Sequence, residues 1–387
     1  MTQREILYVA AHAEFPDSDP LGGGKAVADY LIREWRSGQP FPLTVLSPRS
    51  LKLLLPKALA EMGELEYARF CRQFEAAATA EILKRDPREC VVLCNDISEG
   101  PSFAALGERG YGLVSIFHVD VVEFFTKFYL RNLIPAHVAA RWRWFSVMPN
   151  VLQLVFQKQF ECVRWSKHIV VPSIPMRDTI LRCYPWCPPD NIVVLPWGNV
   201  AEAAGPTELP RLDVKDDEFV IITLSRLSPE KGIERLLSAL QLIDGNENKL
   251  RVFICGGPAY MQGRTYEQKL KNLAQRIKNV KVEFTGHVTG VRKAALLQRA
   301  DLFVSPSRHE SYGLTIAEAI GAGCRVISHS HYGATGEVVD CSDARALANA
   351  ISKAASKGRT RKTPATHLTN VAARKLAELL VETTRLT

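Results

Sequence analysis

Short apolar runs recur along this chain at the spacing that alternating strands and helices require, and this recurrence limits the fold more than any other feature. The first run, Ile6-Leu7-Tyr8-Val9-Ala10-Ala11, reads as a buried strand. A polar loop and the triplet Gly22-Gly23-Gly24 follow, then helical periodicity from Ala26 to Trp35. Further runs stand at 43–46, 91–94, 113–116 and 168–171. Runs that stay apolar without alternating suit a parallel sheet covered by helices on both faces. A stretch rich in turn formers then intervenes, with Pro188, Pro189, Pro196, Gly205, Pro206 and Pro210, and reads as a linker over 188–218. A second series begins beyond it, with strands expected at 219–224, 250–255, 280–284, 302–304 and 325–327.

The expected fold is therefore α/β, with two doubly wound, Rossmann-like domains in tandem. A length of 387 residues suits two domains. Their predicted extents are 1–205 and 206–366, with a terminal helix at about 367–387 that docks back on the first.

Composition excludes several classes. Apolar residues at 47% and charged residues at 23% are those of a globular chain, not a disordered one. The net charge of +8 can attract phosphorylated ligands, nucleic acid or anionic lipid without choosing among them. The basic cluster Lys357, Arg359, Arg361 and Lys362 reads as a solvated linker. The nine cysteines show no C-x-x-C spacing, so buried reduced thiols are expected rather than a metal set. No apolar run reaches the length of a membrane span and the N-terminus lacks a signal-peptide pattern, which predicts a cytoplasmic chain. Residues 124–165 gather aromatic and basic side chains, among them Phe124, Tyr129, Arg131, Trp142, Trp144 and Lys158. This tract suits either core packing or peripheral contact with the inner face of a membrane or a lipid-linked acceptor. No nucleic-acid-binding module is recognisable, so no such partner is expected.

Two constellations bear chemistry. In the first, Ser225-Arg226-Leu227-Ser228-Pro229-Glu230-Lys231-Gly232 joins a strand to a helix. Arg226 and Lys231 therefore lie at the carboxyl end of a strand, where open α/β sheets bind ligands. A guanidinium fork and a compact ammonium both suit phosphate oxygens, although a charged turn alone has the same look. In the second, Glu310 and Glu318 flank seven residues that include Gly313, just before a helix expected from Leu314. Free amides at a helix start favour an anion, and a glutamate on each side could accept hydrogen bonds from sugar hydroxyls.

In this order and spacing, the Ser-Arg-Leu-x-x-x-Lys-Gly loop and the Glu-x7-Glu element resemble the C-terminal half of the retaining glycosyltransferases of family 4. The resemblance covers about Phe219 to Val339. It implies the GT-B fold, two Rossmann-like domains facing a central cleft. It also implies transfer of a hexose from a nucleotide-sugar donor to an acceptor hydroxyl, with retention. No D-x-D pair stands out in a suitable loop, so no metal or other cofactor is expected. The acceptor could be a saccharide, a small molecule or a lipid-linked sugar.

By the resemblance, Arg226 and Lys231 hold the donor pyrophosphate, Glu310 lies beside the donor sugar and Glu318 binds the ribose. The amides of Gly313 and Leu314 cradle the pyrophosphate, with Ser311 and Tyr312 counted among the donor-binding residues. Gly257, His287 and Val288 match loops near the nucleoside, though glycines there could equally be plain turns. In the first half, Gly23 and Gly24 match a loop that approaches the donor phosphates. His118, in Ile116-Phe117-His118-Val119-Asp120, matches an active-site histidine segment. It could contact the donor sugar, orient the acceptor or simply be structural.

The chain departs from the family pattern after Gly323, where Gly323-Cys324-Arg325-Val326 lacks a proline and Gly333-Ala334-Thr335-Gly336-Glu337 lacks a glycine pair. Three rivals follow from the same residues. A sugar-nucleotide epimerase of similar fold would convert the donor without an acceptor. A non-catalytic protein would keep only the donor site. A basic membrane or nucleic-acid binder would lose affinity steeply with salt.

Overall fold

A computed structural model describes residues 4–13, 22–38, 41–54, 59, 62–128, 130, 133–141, 150–200, 210–243, 249–258, 263–330, 333, 336–359 and 371–386. These residues fall into two compact units. The first runs to Trp197 and includes the helix Val371–Leu386; the second begins at Gly198. The predicted boundary between 205 and 206 lies outside the described residues.

The first unit holds the strands β1 (Glu5–Val9), β2 (Leu43–Leu46), β3 (Cys90–Cys94), β4 (Gly112–Ile116), β5 (His168–Val171) and β6 (Ile192–Val194). They form one parallel sheet in the order β2-β1-β3-β4-β5-β6. Strand β6 lies inside the stretch expected to be linker. Three residues between prolines are too few to show a period, yet they extend the sheet through pairs such as Ile169 with Ile192. Both faces are covered, as continuous apolar strands require. Leu7 and Val9 pack with Phe74, Phe103 and Phe156. On β1 the neighbouring side chain, Tyr8, meets Trp35 edge-on at 5.8 Å. Trp35 Nε1 donates to the Ala373 carbonyl at 3.1 Å, so the last helix is tied to the helix Gly23–Arg36.

One further expectation changes here. Gly23 and Gly24 are not loop residues but the first turn of a helix capped by Gly22 at φ 81°. Gly24 is there because space demands it: a Cβ would stand 2.8 Å from Asp96 Oδ1. In the aromatic and basic tract, Phe125, Phe156 and Lys158 are buried, so these members serve the core. The Lys158 ammonium donates to the carbonyls of Gly100 and Pro101. Tyr129, Arg131, Trp142, Arg143, Trp144 and Phe145 lie outside the described residues. Among the described residues, no helix is long and apolar enough to cross a membrane.

The second unit repeats the plan with β7 (Glu218–Leu224), β8 (Lys249–Cys255), β9 (Lys281–Gly286), β10 (Leu302–Ser305), β11 (Arg325–Ser328) and β12 (Glu337–Val338). The parallel order is β12-β11-β10-β7-β8-β9. Alternate residues of β7 enter opposite cores: Phe219 and Ile221 face Leu236 and Leu237, while Val220 and Ile222 face Phe303 and Ile316. Each such burial contributes about 1.5–3 kcal/mol. All nine cysteines are buried thiols. From the basic cluster, Arg359 pairs with Asp301 at 3.4 Å, while Arg361 and Lys362 lie outside the described residues.

Candidate functional site

In the second unit the chain runs from β7 to β8 and β9 on one side, then returns to β10 on the other side of β7. The connections leaving β7 and β10 therefore diverge. In an open α/β sheet this is the point where a crevice forms at the carboxyl ends of the strands. Both constellations seen in the sequence sit on these two connections.

The two loops are tied together by their backbones. The Glu230 carbonyl accepts from the Arg308 amide at 2.8 Å and from the Ser307 hydroxyl at 3.3 Å. Gly232 sits where they touch, at φ 61°, and a Cβ there would stand 2.5 Å from the Pro306 carbonyl oxygen. Both the backbone angle and the contact oppose a side chain. Gly232→Ala is expected to destabilise the fold by about 1–3 kcal/mol. Gly38→Ala, where nothing lies within 4 Å, should change little. Urea unfolding of both variants checks this, and equal midpoints would contradict it.

The side chains then meet across the join. Lys231 Nζ lies 2.6 Å from Glu310 Oε1, with the two side chains 13% and 16% exposed. Arg226 stands on the same loop, its Nη2 3.9 Å from Glu230 Oε1. The β10 connection ends at Gly313, at φ 83°, which begins the helix Leu314–Gly321 with no side-chain cap. The first amides of that helix are therefore not claimed by a capping side chain, and its dipole favours an anion. Ser311 and Tyr312 lie just ahead of it, and the Tyr312 hydroxyl accepts from the Gly198 amide at 3.0 Å.

Glu318 lies on the second turn of this helix and is 5% exposed. Its Oε1 meets Lys293 Nζ at 3.0 Å, while its Oε2 is buried with no hydrogen-bond partner. A buried carboxylate oxygen left unpaired is costly, and a ligand hydroxyl would satisfy it. The sequence reading missed Lys293. It sits on the helix Gly290–Arg299 like any surface lysine, and only the fold brings it to Glu318.

The loops after β8 and β9 adjoin the same edge. The Gly256 amide donates to the Gly286 carbonyl at 2.8 Å, and the Leu227 amide to the Gly257 carbonyl at 2.9 Å. A Cβ on Gly257 would lie 3.7 Å from the His287 Cβ. Gly257 and His287 are thus neighbours, while Val288 turns inward and is 5% exposed.

The first unit carries a polar cluster of its own. His118 follows β4, with its Nε2 buried and without a hydrogen-bond partner and its ring 6.2 Å from that of Trp197. Three residues that the sequence reading did not single out surround it. His12, after β1, places Nδ1 3.2 Å from Asp96 Oδ1 and Nε2 3.2 Å from Glu99 Oε1. Both acids follow β3. Burial alone would depress the His12 imidazole, but Asp96 and then Glu99 hold it well above its ordinary value. Burial would likewise raise Asp96, yet His12 pulls it below the usual carboxylate range. For His118 burial prevails and lowers the imidazole, with Asp96 opposing and His12 reinforcing. Ionisable residues within two to five positions of three strand ends were the available signal.

Residues 206–367 match the family described as glycosyl transferases group 1. Over 125 residues the chain is 30% identical to alpha-monoglucosyldiacylglycerol synthase of Streptococcus pneumoniae, covering 31% of this chain and 26% of that protein. Over 192 residues it is 30% identical to D-inositol 3-phosphate glycosyltransferase of Corynebacterium glutamicum, covering 45% of each. The matched part thus spans between a quarter and a half of these relatives. Whole-chain similarity is found in structure. Anabaena HepE in complex with UDP and glucose superposes with a TM-score of 0.63 at 15% identity, covering 100% of both chains. Sucrose-phosphate synthase from Thermosynechococcus elongatus gives 0.63 at 18% identity, covering 99% of this chain and 97% of that one. At such identities the likeness establishes the fold, which is the two-domain α/β fold of the GT-B type.

Proposed function

We propose that the chain transfers a sugar from a nucleotide-sugar donor to an acceptor hydroxyl, with retention at the anomeric carbon and without a metal ion. The observation that carries this reading is the Lys231–Glu310 pair at the switch point of the second sheet. It sets a cation beside the carboxylate that the family pattern assigns to the donor sugar. The match of residues 206–367 to glycosyl transferases group 1 supports the same reading.

The chemistry follows from the residue types. The bond between the sugar C1 and the phosphate oxygen breaks, the acceptor oxygen bonds to C1 on the same face, and the acceptor proton passes to the departing phosphate. Negative charge grows on the nucleoside diphosphate while the sugar gains oxocarbenium character. Arg226, Lys231 and the helix amides after Gly313 stabilise the first; the Glu310 carboxylate faces the second. The unpaired oxygen of Glu318 accepts from the ribose.

UDP-glucose, GDP-mannose and ADP-glucose, each incubated in EDTA with saccharide and lipid-linked acceptors and followed by NMR, test this reading. Release of a nucleoside diphosphate with an α-configured product at first appearance is expected, at a rate the chelator leaves unchanged. Conversion of the donor sugar to its epimer without nucleotide release would make the chain an epimerase. Loss of turnover on chelation would overturn metal independence.

A further inference from the structure

The first sheet has a switch point too. From β1 the chain goes outward to β2, then returns to β3 on the other side. His12 leaves β1, and Asp96 and Glu99 leave β3, so the His12 clamp spans the place where an α/β sheet opens a crevice. His118 leaves β4, the next strand along. The start of the helix Gly23–Arg36 presses on the cluster: a Cβ on Gly24 would lie 2.8 Å from Asp96 Oδ1 and 3.5 Å from His118 Cδ2. Asn95 fastens this arrangement, accepting from the Tyr8 hydroxyl at 2.7 Å and donating to the Gly24 carbonyl at 3.2 Å.

We propose that His12 is a positioning residue for His118: held between Asp96 and Glu99, it supplies the local positive charge and leaves His118 an uncharged imidazole with a free ring nitrogen for a sugar hydroxyl. The reaction in question is the one proposed above, and the inference rests on that reading for its substrate. Two carboxyl groups beside one imidazole would draw a proton onto it. With two imidazoles the proton settles on His12, which touches both acids. The ionisable members of this cluster are Asp96, Glu99 and the two histidines, and the Cys94 thiol donates to the Asp96 carbonyl at 3.4 Å. Tyr8 lies beside Asp96, and Tyr67 hydrogen-bonds Glu99. Cys71 also faces Glu99. In this arrangement the cation of His12 lowers His118 and the anion of Asp96 raises it, so the two substitutions should act in opposite directions.

The experiment is an NMR titration of the histidine ring protons in the full chain, with the His118 signal assigned from its loss in His118→Gln. His12→Gln should raise the His118 midpoint by about one pH unit, and Asp96→Asn should lower it, as removal of a charge within a few ångströms does. A histidine that only fills space would leave both midpoints in place, and that result overturns the proposal. The pH profile of nucleoside diphosphate release from the nucleotide sugar is the second readout. Its acid limb should move with the His118 midpoint in each variant. A limb that stays put while the midpoint moves also overturns the proposal. Absence of turnover with every donor would instead reject the transferase reading, since the titration needs no substrate.

Discussion

Lys231→Ala is expected to lower nucleoside diphosphate release from the donor by about 10²–10³-fold, the scale seen when one group stabilising transition-state charge is removed. Two effects add. On the proposed reading the variant loses the ammonium for the leaving phosphate, and Glu310 loses the cation 2.6 Å from its Oε1. That carboxylate is only 16% exposed, so water replaces the cation poorly, and the anion then repels the incoming phosphates. Lys231→Met keeps the stem and removes the charge, and it should fall nearly as far. Steady-state rates with urea unfolding in parallel check this. A fall of less than fivefold in a folded variant would mean that the pyrophosphate does not lie at Lys231.

Glu318→Ala is expected to weaken UDP binding by about 10–150-fold, which corresponds to losing a hydrogen bond to a charged group worth about 1.5–3 kcal/mol. The lever is the buried oxygen that lacks a partner in the protein. If a ribose hydroxyl fills that place, the wild type must prefer UDP to its 2′-deoxy or 3′-deoxy analogue. The variant must bind all three alike. Calorimetry with the three nucleotides gives the answer directly. A variant that keeps the wild-type preference would remove Glu318 from the ribose site, and Lys293 with it.

Much of this fold was legible because parallel strands buried on both faces leave unbroken apolar runs. The run 219–224 falls within β7: apart from Thr223 its residues are apolar, and Val220, Ile221 and Ile222 are β-branched, which suits a buried strand before Ser225. Strand β6 was not legible. Ile192–Val194 stands between prolines, and its pairing with β5 is a decision of tertiary structure that three residues cannot announce. Gly23 and Gly24 misled for a related reason. Glycine disfavours helix, but the first turn tolerates it, and at Gly24 a Cβ would stand 2.8 Å from Asp96 Oδ1.

The candidate site divides in the same way. Arg226, Lys231, Glu310 and Glu318 stand in two contiguous motifs, and the switch point explains why motifs some eighty residues apart share one edge. Lys293 and His12 belong to no motif. Each matters through a partner on another element, so their importance could only be read once β9 had been joined to β10 and β1 laid against β3.

The central claim is that the edge of β7 and β10 binds a nucleoside diphosphate, and calorimetric titration with UDP, GDP and ADP in chelator tests it most directly. One of the three should bind well above the others to the wild type, and its affinity should collapse in Lys231→Ala. Binding of none of them to a folded wild-type chain, or equal binding to the wild type and the variant, would contradict the account.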